Sequence, residues 1–209
     1  MAAVIDVTRV PSDLPLRCRC GHVGGVASGV APSEGLRFIC YCKDCQAFAR
    51  FLGDTGDILD DMGGTDVVAT LPRYVTFTTG REALACMSLT PSGLLRWYAS
   101  CCNTPIGNTP RNFKFSYVGL VHTCLEDPSN SLERSFGPVR MRVNTKSAKG
   151  KPQATPISTL GAILRFMKML IGARVGGSYR NTPFFDVASG APIVAPKVLS
   201  GAERDRALP

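Results

Sequence analysis

Three cysteines fall within six residues in the stretch CYCKDC, at Cys40, Cys42 and Cys45. A second pair, Cys18 and Cys20, sits in RCRCG, and Cys101 and Cys102 are adjacent in YASCCNTP. Cys86 and Cys124 stand alone. Thiolates bind zinc tetrahedrally at about 2.3 Å, so the sulfurs of a site must converge on one point. A C-x-C pair on a strand places both side chains on one face, which suits two ligands. Two such pairs from distant strands would close a structural site, whereas three thiolates with a fourth position open to water or substrate would be a site of the catalytic type. The triplet supplies three sulfurs and no fourth nearby, and neither His22 nor His122 stands beside it. One C-x-C alone could be a buried hydrophobic pair; two of them, one extended by C-x-x-C, argue for metal. A redox reading of Cys42-Lys43-Asp44-Cys45 finds no thioredoxin-like βαβ pattern around it. Cys86 and Cys124 read as core, and the two histidines as ordinary hydrogen-bonding residues.

These cysteines need elements to carry them. Val23–Val30 is rich in valine and glycine, in pieces suited to strand and turn, and Leu36–Ile39 leads directly into the triplet. Arg73–Thr79, RYVTFTT, is the strongest strand signal, with β-branched and aromatic residues before Gly80. Leu94–Tyr98 and Phe113–Val121 also read as strands, with Pro91-Ser92-Gly93 as a turn. Asp44–Phe51 suggests a short helix. Asp54–Asp66 is rich in aspartate and glycine but lacks calcium-loop spacing, and reads as a solvated loop. The clearest helical signal comes late: Ile157, Leu160, Ile163, Leu164, Met167, Leu170 and Ile171 recur at three- and four-residue steps until Gly176-Gly177. This stripe is expected to be buried within the protein or at a homodimer contact. Lys146–Pro156 reads as a mobile linker.

The 209 residues suffice for one large domain or a domain with an extension. With 44% apolar residues the chain can build a core. No run approaches about 18 apolar residues, so no transmembrane segment is expected, and the start shows no secretory signal. The default home is cytoplasmic, where nine cysteines are expected as ligands, reactive thiols or core residues rather than disulfides. The charge is uneven. Residues 1–133 carry 11 Lys/Arg and 13 Asp/Glu, and residues 134–209 carry 13 and 3. The difference, −2 against +10, suggests two parts: a β domain over 1–135 and a basic linker with a helix-containing extension over 136–209. It also permits an anionic partner for the second part. Aromatics are not interleaved with the basic residues of the linker, which argues against nucleic acid.

In its order of motifs the chain resembles the glutathione-dependent formaldehyde-activating enzyme family, also called the Gfa-like or centromere-protein-V-like family. That family carries C-x-C-G, then C-[HY]-C-x-x-C, then F-C-x-x-C-G-[ST]-P, then L-D-D-P. Here these correspond to Cys18-Arg19-Cys20-Gly21, to Cys40-Tyr41-Cys42-Lys43-Asp44-Cys45, to the stretch from Tyr98 to Pro105, and to Leu125-Glu126-Asp127-Pro128. Gly80 to Leu84 looks like the family's G-x-x-x-L step. The resemblance covers roughly residues 15–130. It implies a mainly β, tent-like (Mss4-like) zinc-binding fold, here with a C-terminal helical extension. It also implies a structural zinc on Cys18, Cys20 and Cys102, and a zinc with an open position on Cys40, Cys42 and Cys45. Two departures affect the structural site. Ala99 stands where the family's first late cysteine would be, with Cys101 as an extra thiol, and Asn103 replaces the following glycine. Adjacent side chains diverge on a strand, but both could reach one metal in a tight turn. The site is then either Cys18, Cys20, Cys101 and Cys102, or three thiolates completed otherwise.

Two functional classes follow. The first is a zinc protein resembling carbon–sulfur lyases that act on small thiol adducts of the glutathione type; no catalytic residue is assigned. The second is a non-catalytic, zinc-supported binding module whose basic C-terminal region contacts an anionic partner.

Overall fold

The computed structural model describes residues 13–28, 35–125, 132–155 and 159–209. The fold is mainly β, with two sheets. The small sheet has the order β1-β2-β5, from Leu14–Arg17, Gly24–Ala27 and Val75–Thr79. The large sheet is built from β3 (Leu36–Cys40), β4 (Thr65–Thr70), β6 (Leu84–Ser88), β7 (Leu95–Ala99), β8 (Thr104–Thr109), β9 (Val118–Val121), β10 (Met141–Val143) and β11 (Lys197–Val198). Its eight strands run in the order β10-β3-β4-β9-β8-β7-β6-β11. Pairing is antiparallel except for β10 on β3 and β11 on β6.

β8 and β9 are buried along their whole length, because both faces of the sheet centre are covered. The main core lies between the sheets. Leu14 and Leu16 of β1 and Val75 of β5 join Trp97, Ile106 and Leu120 of the large sheet. Phe184 and Phe185 enter the same core from the C-terminal part, with the Phe184 ring 5.1 Å from Trp97.

Among the described residues there are four α-helices: α1 (Lys43–Leu52), α2 (Leu132–Phe136), α3 (Leu160–Val175) and α4 (Gly201–Ala207). α1 begins at Cys42, whose backbone is extended and whose sulfur accepts the Cys45 N–H. It ends at Gly53 with φ 78, where the Gly53 N–H reaches the Ala49 and Arg50 carbonyls. Phe48, Leu52 and Ala49 face inward, at the spacing expected of one helical face.

Several expected elements shift. The strand expected over Arg73–Thr79 starts at Val75, because Pro72–Tyr74 forms a short 3₁₀ turn. Phe113–Tyr117 is loop, and only Val118–Val121 pairs. The segment Lys146–Pro156, expected as a mobile linker, is anchored at two points: the Lys149 N–H donates to the Met62 carbonyl, and the Thr155 hydroxyl bonds the Arg142 backbone. Pro156, Ile157, Glu126, Asp127 and Pro128 lie outside the described residues.

The late helix forms, but its apolar residues divide. Leu170 and Ala173 are buried, packed with Phe166 and Met169 against Leu71, Tyr74 and Tyr117. Leu160, Leu164, Met167 and Ile171, expected to be covered within the protein or at a homodimer contact, are 43–61% exposed on the single chain, as is Phe115 of the neighbouring loop at 51%. The pattern carries two apolar faces on opposite sides of one helix, and periodicity does not tell which of them docks.

Candidate metal centres

The first cluster is built by two turns that meet between the sheets. After β1 the chain turns back on itself, with the Gly21 N–H on the Cys18 carbonyl and the Cys18 N–H on the Val23 carbonyl. Gly21 has φ 78, a left-handed conformation that glycine adopts without penalty. Gly80, also at φ 65, lies so close that a Cβ there would meet the His22 carbonyl at 2.2 Å. The opposing turn joins β7 to β8 and carries Cys101 and Cys102. Asn103 holds it at φ 55. Asparagine is among the few residues other than glycine that enter this region readily, so Asn103 suits the turn.

The sulfurs of Cys18, Cys20, Cys101 and Cys102 all lie within 4.8 Å of one another. The closest pairs are Cys20–Cys101 at 3.4 Å, Cys18–Cys20 at 3.5 Å and Cys18–Cys101 at 3.7 Å. A tetrahedron with sulfur about 2.3 Å from a central ion has edges of about 3.8 Å. Both adjacent cysteines therefore reach the same point as Cys18 and Cys20, and the four sulfurs together could hold one ion. Ala99 is fully buried in β7 and faces the core, away from this task.

The donors of this cluster are unequal. Burial opposes ionisation of Cys102, yet the Thr104 hydroxyl at 3.1 Å, the Cys20 backbone and the Cys20 and Cys18 thiols together bring it down to about 6. Burial, with the Cys20, Cys18 and Cys102 thiols, pushes Cys101 up to about 12. Burial also raises Cys18.

The second cluster, Cys40, Cys42 and Cys45, likewise gathers its sulfurs within 4.8 Å. Cys40 ends β3, Cys42 caps α1, and Cys45 lies in the first turn of that helix. Cys40 and Cys45 are buried and Cys42 is half-buried, so the cluster meets solvent on one side. The C-terminal part fixes this loop. Val143 of β10 lies opposite Cys40, and its carbonyl accepts the Tyr41 N–H at 3.0 Å. The Gln46 side-chain amide, itself buried, donates to the Tyr41 and Ser147 carbonyls, both at 3.0 Å. Asn144 donates to the Cys40 sulfur at 3.5 Å. All three thiols are raised. Cys42's thiol is the main cause at Cys40. Cys40's thiol is the main cause at Cys45, where the Arg96 charge pulls the other way. At Cys42, hydrogen bonding from Cys40 lowers the value, but the Cys45 thiol and burial outweigh it. Without a cation to replace the protons, these thiols remain neutral.

Among the described residues no histidine, aspartate or glutamate joins either cluster. His22 pairs with Glu82 at 2.8 Å and His122 bonds the Asp57 carbonyl at 3.1 Å. Cys86 and Cys124 are buried in the main core, and burial pushes Cys86 up to about 12. Sequence reasoning missed Arg96, whose Nη1 lies 3.8 Å from the Cys45 sulfur. Its signal was a single cation inside the apolar run LLRWY. Asn144, remote in sequence, left none.

The molecule is thus a mainly β protein with two groups of cysteines, each of which could hold a metal ion. A family model described as "Family of unknown function (DUF6151)" matches residues 10–195, and the chain belongs to that family. A search of curated proteins finds no match to the chain. Among the described residues no helix is long and apolar enough to cross a membrane.

Proposed function

We propose that this is a zinc protein in which Cys18, Cys20, Cys101 and Cys102 hold a structural ion. Cys40, Cys42 and Cys45 hold a second ion with one position open, and the activity is that of a carbon–sulfur lyase acting on small thiol adducts of the glutathione type. The observation that carries the reading is the difference between the clusters: four sulfurs converge in one and three in the other. All-thiolate donors in near-tetrahedral array suit zinc. The activity rests on the resemblance to the formaldehyde-activating family, and the same reading takes the two sheets as its tent-like, Mss4-like fold. A reducing cytoplasm would keep all nine thiols free.

Zinc bound to the triplet would supply a positive centre able to hold a small thiol, or its adduct with a carbonyl, through sulfur. Cys42 sits at the N-terminus of α1, where the helix dipole favours a thiolate. Three thiolates donate strongly and leave a divalent ion in a net anionic complex, which weakens its Lewis acidity. The residues therefore favour retaining a hemithioacetal-like adduct over generating hydroxide. Tyr117 stays a neutral phenol beside them, raised by burial and by negative charge on Cys45 and Cys40.

Elemental analysis with anomalous scattering tests this directly. Protein purified without added metal should contain two zinc ions per chain, one in each cluster. Less than about a tenth of an equivalent of any metal, with all nine thiols freely titratable, overturns the reading.

One observation favours a second reading, a non-catalytic module docking on an anionic bilayer. The outward face of α3 presents Leu160, Leu164, Met167, Ile171 and Val175 beside exposed Phe115. Lys114 and Arg174 line the groove of about 290 Å³ between them, and no Asp or Glu occurs from Arg134 to Phe185. Apolar residues flanked by cations fit a negatively charged lipid surface. They fit a second copy of the same basic face less well.

A further inference from the structure

Arg96 is 2% exposed, inside β7, and nearly all of its guanidinium surface is withdrawn from water. A buried cation is strongly unfavourable unless an anion and hydrogen bonds compensate it. Among the described residues no carboxylate lies within hydrogen-bond distance of it. Nη1 bonds the neutral Asn108 amide oxygen at 3.1 Å. The Asp44 carboxylate is 4.0 Å away and its side chain is 61% exposed to solvent. The Phe48 ring presents its face at 5.4 Å, which is weakly attractive. The remaining neighbour is the buried sulfur of Cys45 at 3.8 Å. As a thiol that sulfur carries no charge. As one of three thiolates around a divalent ion it belongs to a complex of net charge −1, which the guanidinium brings to zero.

We infer that Arg96 is the counter-cation of the Cys40–Cys42–Cys45 centre, and that it sets the centre's ligand class as one further anionic donor, a thiolate on the reading proposed above. The inference rests on reading the triplet as a metal centre with an open position. Without Arg96, a fourth thiolate would bring the complex to −2 in a largely buried setting. With it, the total is −1, shared with a solvent-exposed side. On binding, the sulfur–hydrogen bond of the thiol breaks, a sulfur–metal bond forms, the proton leaves to solvent, and nothing is oxidised or reduced. Asp44 acts in the opposite sense, since its carboxylate offsets part of the Arg96 charge at the mouth of the site.

The test uses the full chain loaded with cobalt(II) at both clusters and titrated with 2-mercaptoethanol at fixed pH, read by sulfur-to-cobalt absorption and by proton release. Arg96→Met should weaken thiol binding about tenfold, since it removes a unit charge 3.8 Å from one of the ligating sulfurs in a medium of intermediate dielectric. It should also weaken cobalt retention at the triplet against a chelator, and leave the four-sulfur cluster loaded. Arg96→Lys should recover most of both losses. Asp44→Asn, at an exposed position, should tighten thiol binding a few-fold, a gain that general destabilisation cannot produce. If Arg96→Met folds poorly, the Asp44→Asn gain and the Arg96→Lys result carry the test. Unchanged thiol and cobalt affinity in Arg96→Met, or no gain in Asp44→Asn, overturns the role of Arg96 and leaves the open site standing. A wild-type cobalt spectrum that does not move with thiol overturns the open site and this inference together.

Discussion

At the scale of residues, the Cys101–Cys102 pair decides how the first cluster is completed. Adjacent side chains diverge on a strand, so the sequence could only leave two alternatives there. What brings both sulfurs to the cluster is a turn held by Asn103 at φ 55, and a left-handed asparagine leaves no mark in spacing. The thiols of that turn should differ in reactivity. Thiolate, not thiol, is alkylated. Cys102 is lowered to about 6 against burial by the Thr104 hydroxyl, the Cys20 backbone and its neighbouring thiols, so its ionised fraction is high at pH 7 and falls as pH drops through that value. In metal-stripped protein, Cys102 should be the first cysteine modified by iodoacetamide, with a rate that declines below about pH 6. Thr104→Val should slow it about threefold or more by removing the hydroxyl. Peptide mapping by mass spectrometry reads the order; first modification at Cys101, pushed up to about 12, contradicts it.

Elements differ in how much chain each cluster ties together. Cys18 follows β1 of the small sheet, and Cys101 lies 83 residues later in a turn of the large one. The three sulfurs of the triplet fall within a single strand-to-helix loop. Closing a long loop removes more freedom from the unfolded chain, and metal affinity for such a site is folding free energy. Cys18→Ser should therefore lower the melting temperature by about 10 °C or more, and Cys42→Ser by less than about half as much. Equal losses in calorimetry would refute the division of roles. Of the strands that flank the clusters, β3 and β7 were legible from the runs Leu36–Ile39 and Leu94–Tyr98, whereas β1 and β8, each interrupted by a proline, were not. Nor were the 3₁₀ turn at Pro72–Tyr74 and the docking of β10 on β3. A three-residue strand has too little pattern to announce itself, and its pairing depends on a partner a hundred positions away.

For the whole molecule, charge asymmetry was plain in the sequence, but which face of α3 docks was not, since its two apolar faces satisfy the same periodicity. Leu164 is 61% exposed, so Leu164→Asp should leave thermal stability within about 1 °C of wild type. It should abolish sedimentation with phosphatidylserine-containing vesicles, while binding to neutral phosphatidylcholine stays weak for both proteins. Buried Leu170→Ala should instead cost about 2–5 kcal/mol of stability in denaturant unfolding. Wild-type protein that ignores the anionic vesicles but sediments as a dimer, lost in Leu164→Asp, would assign the face to a second copy. The order of the large sheet carries a different consequence, for biogenesis. Its two outermost strands, β10 and β11, are three and two residues long and are made last. Until residues 141–198 have left the ribosome, β3 and β6 present bare rows of backbone donors and acceptors to any passing strand. A nascent chain stalled before that point would hold both cysteine clusters in its sequence and yet be most exposed to pairing with its neighbours on the same message.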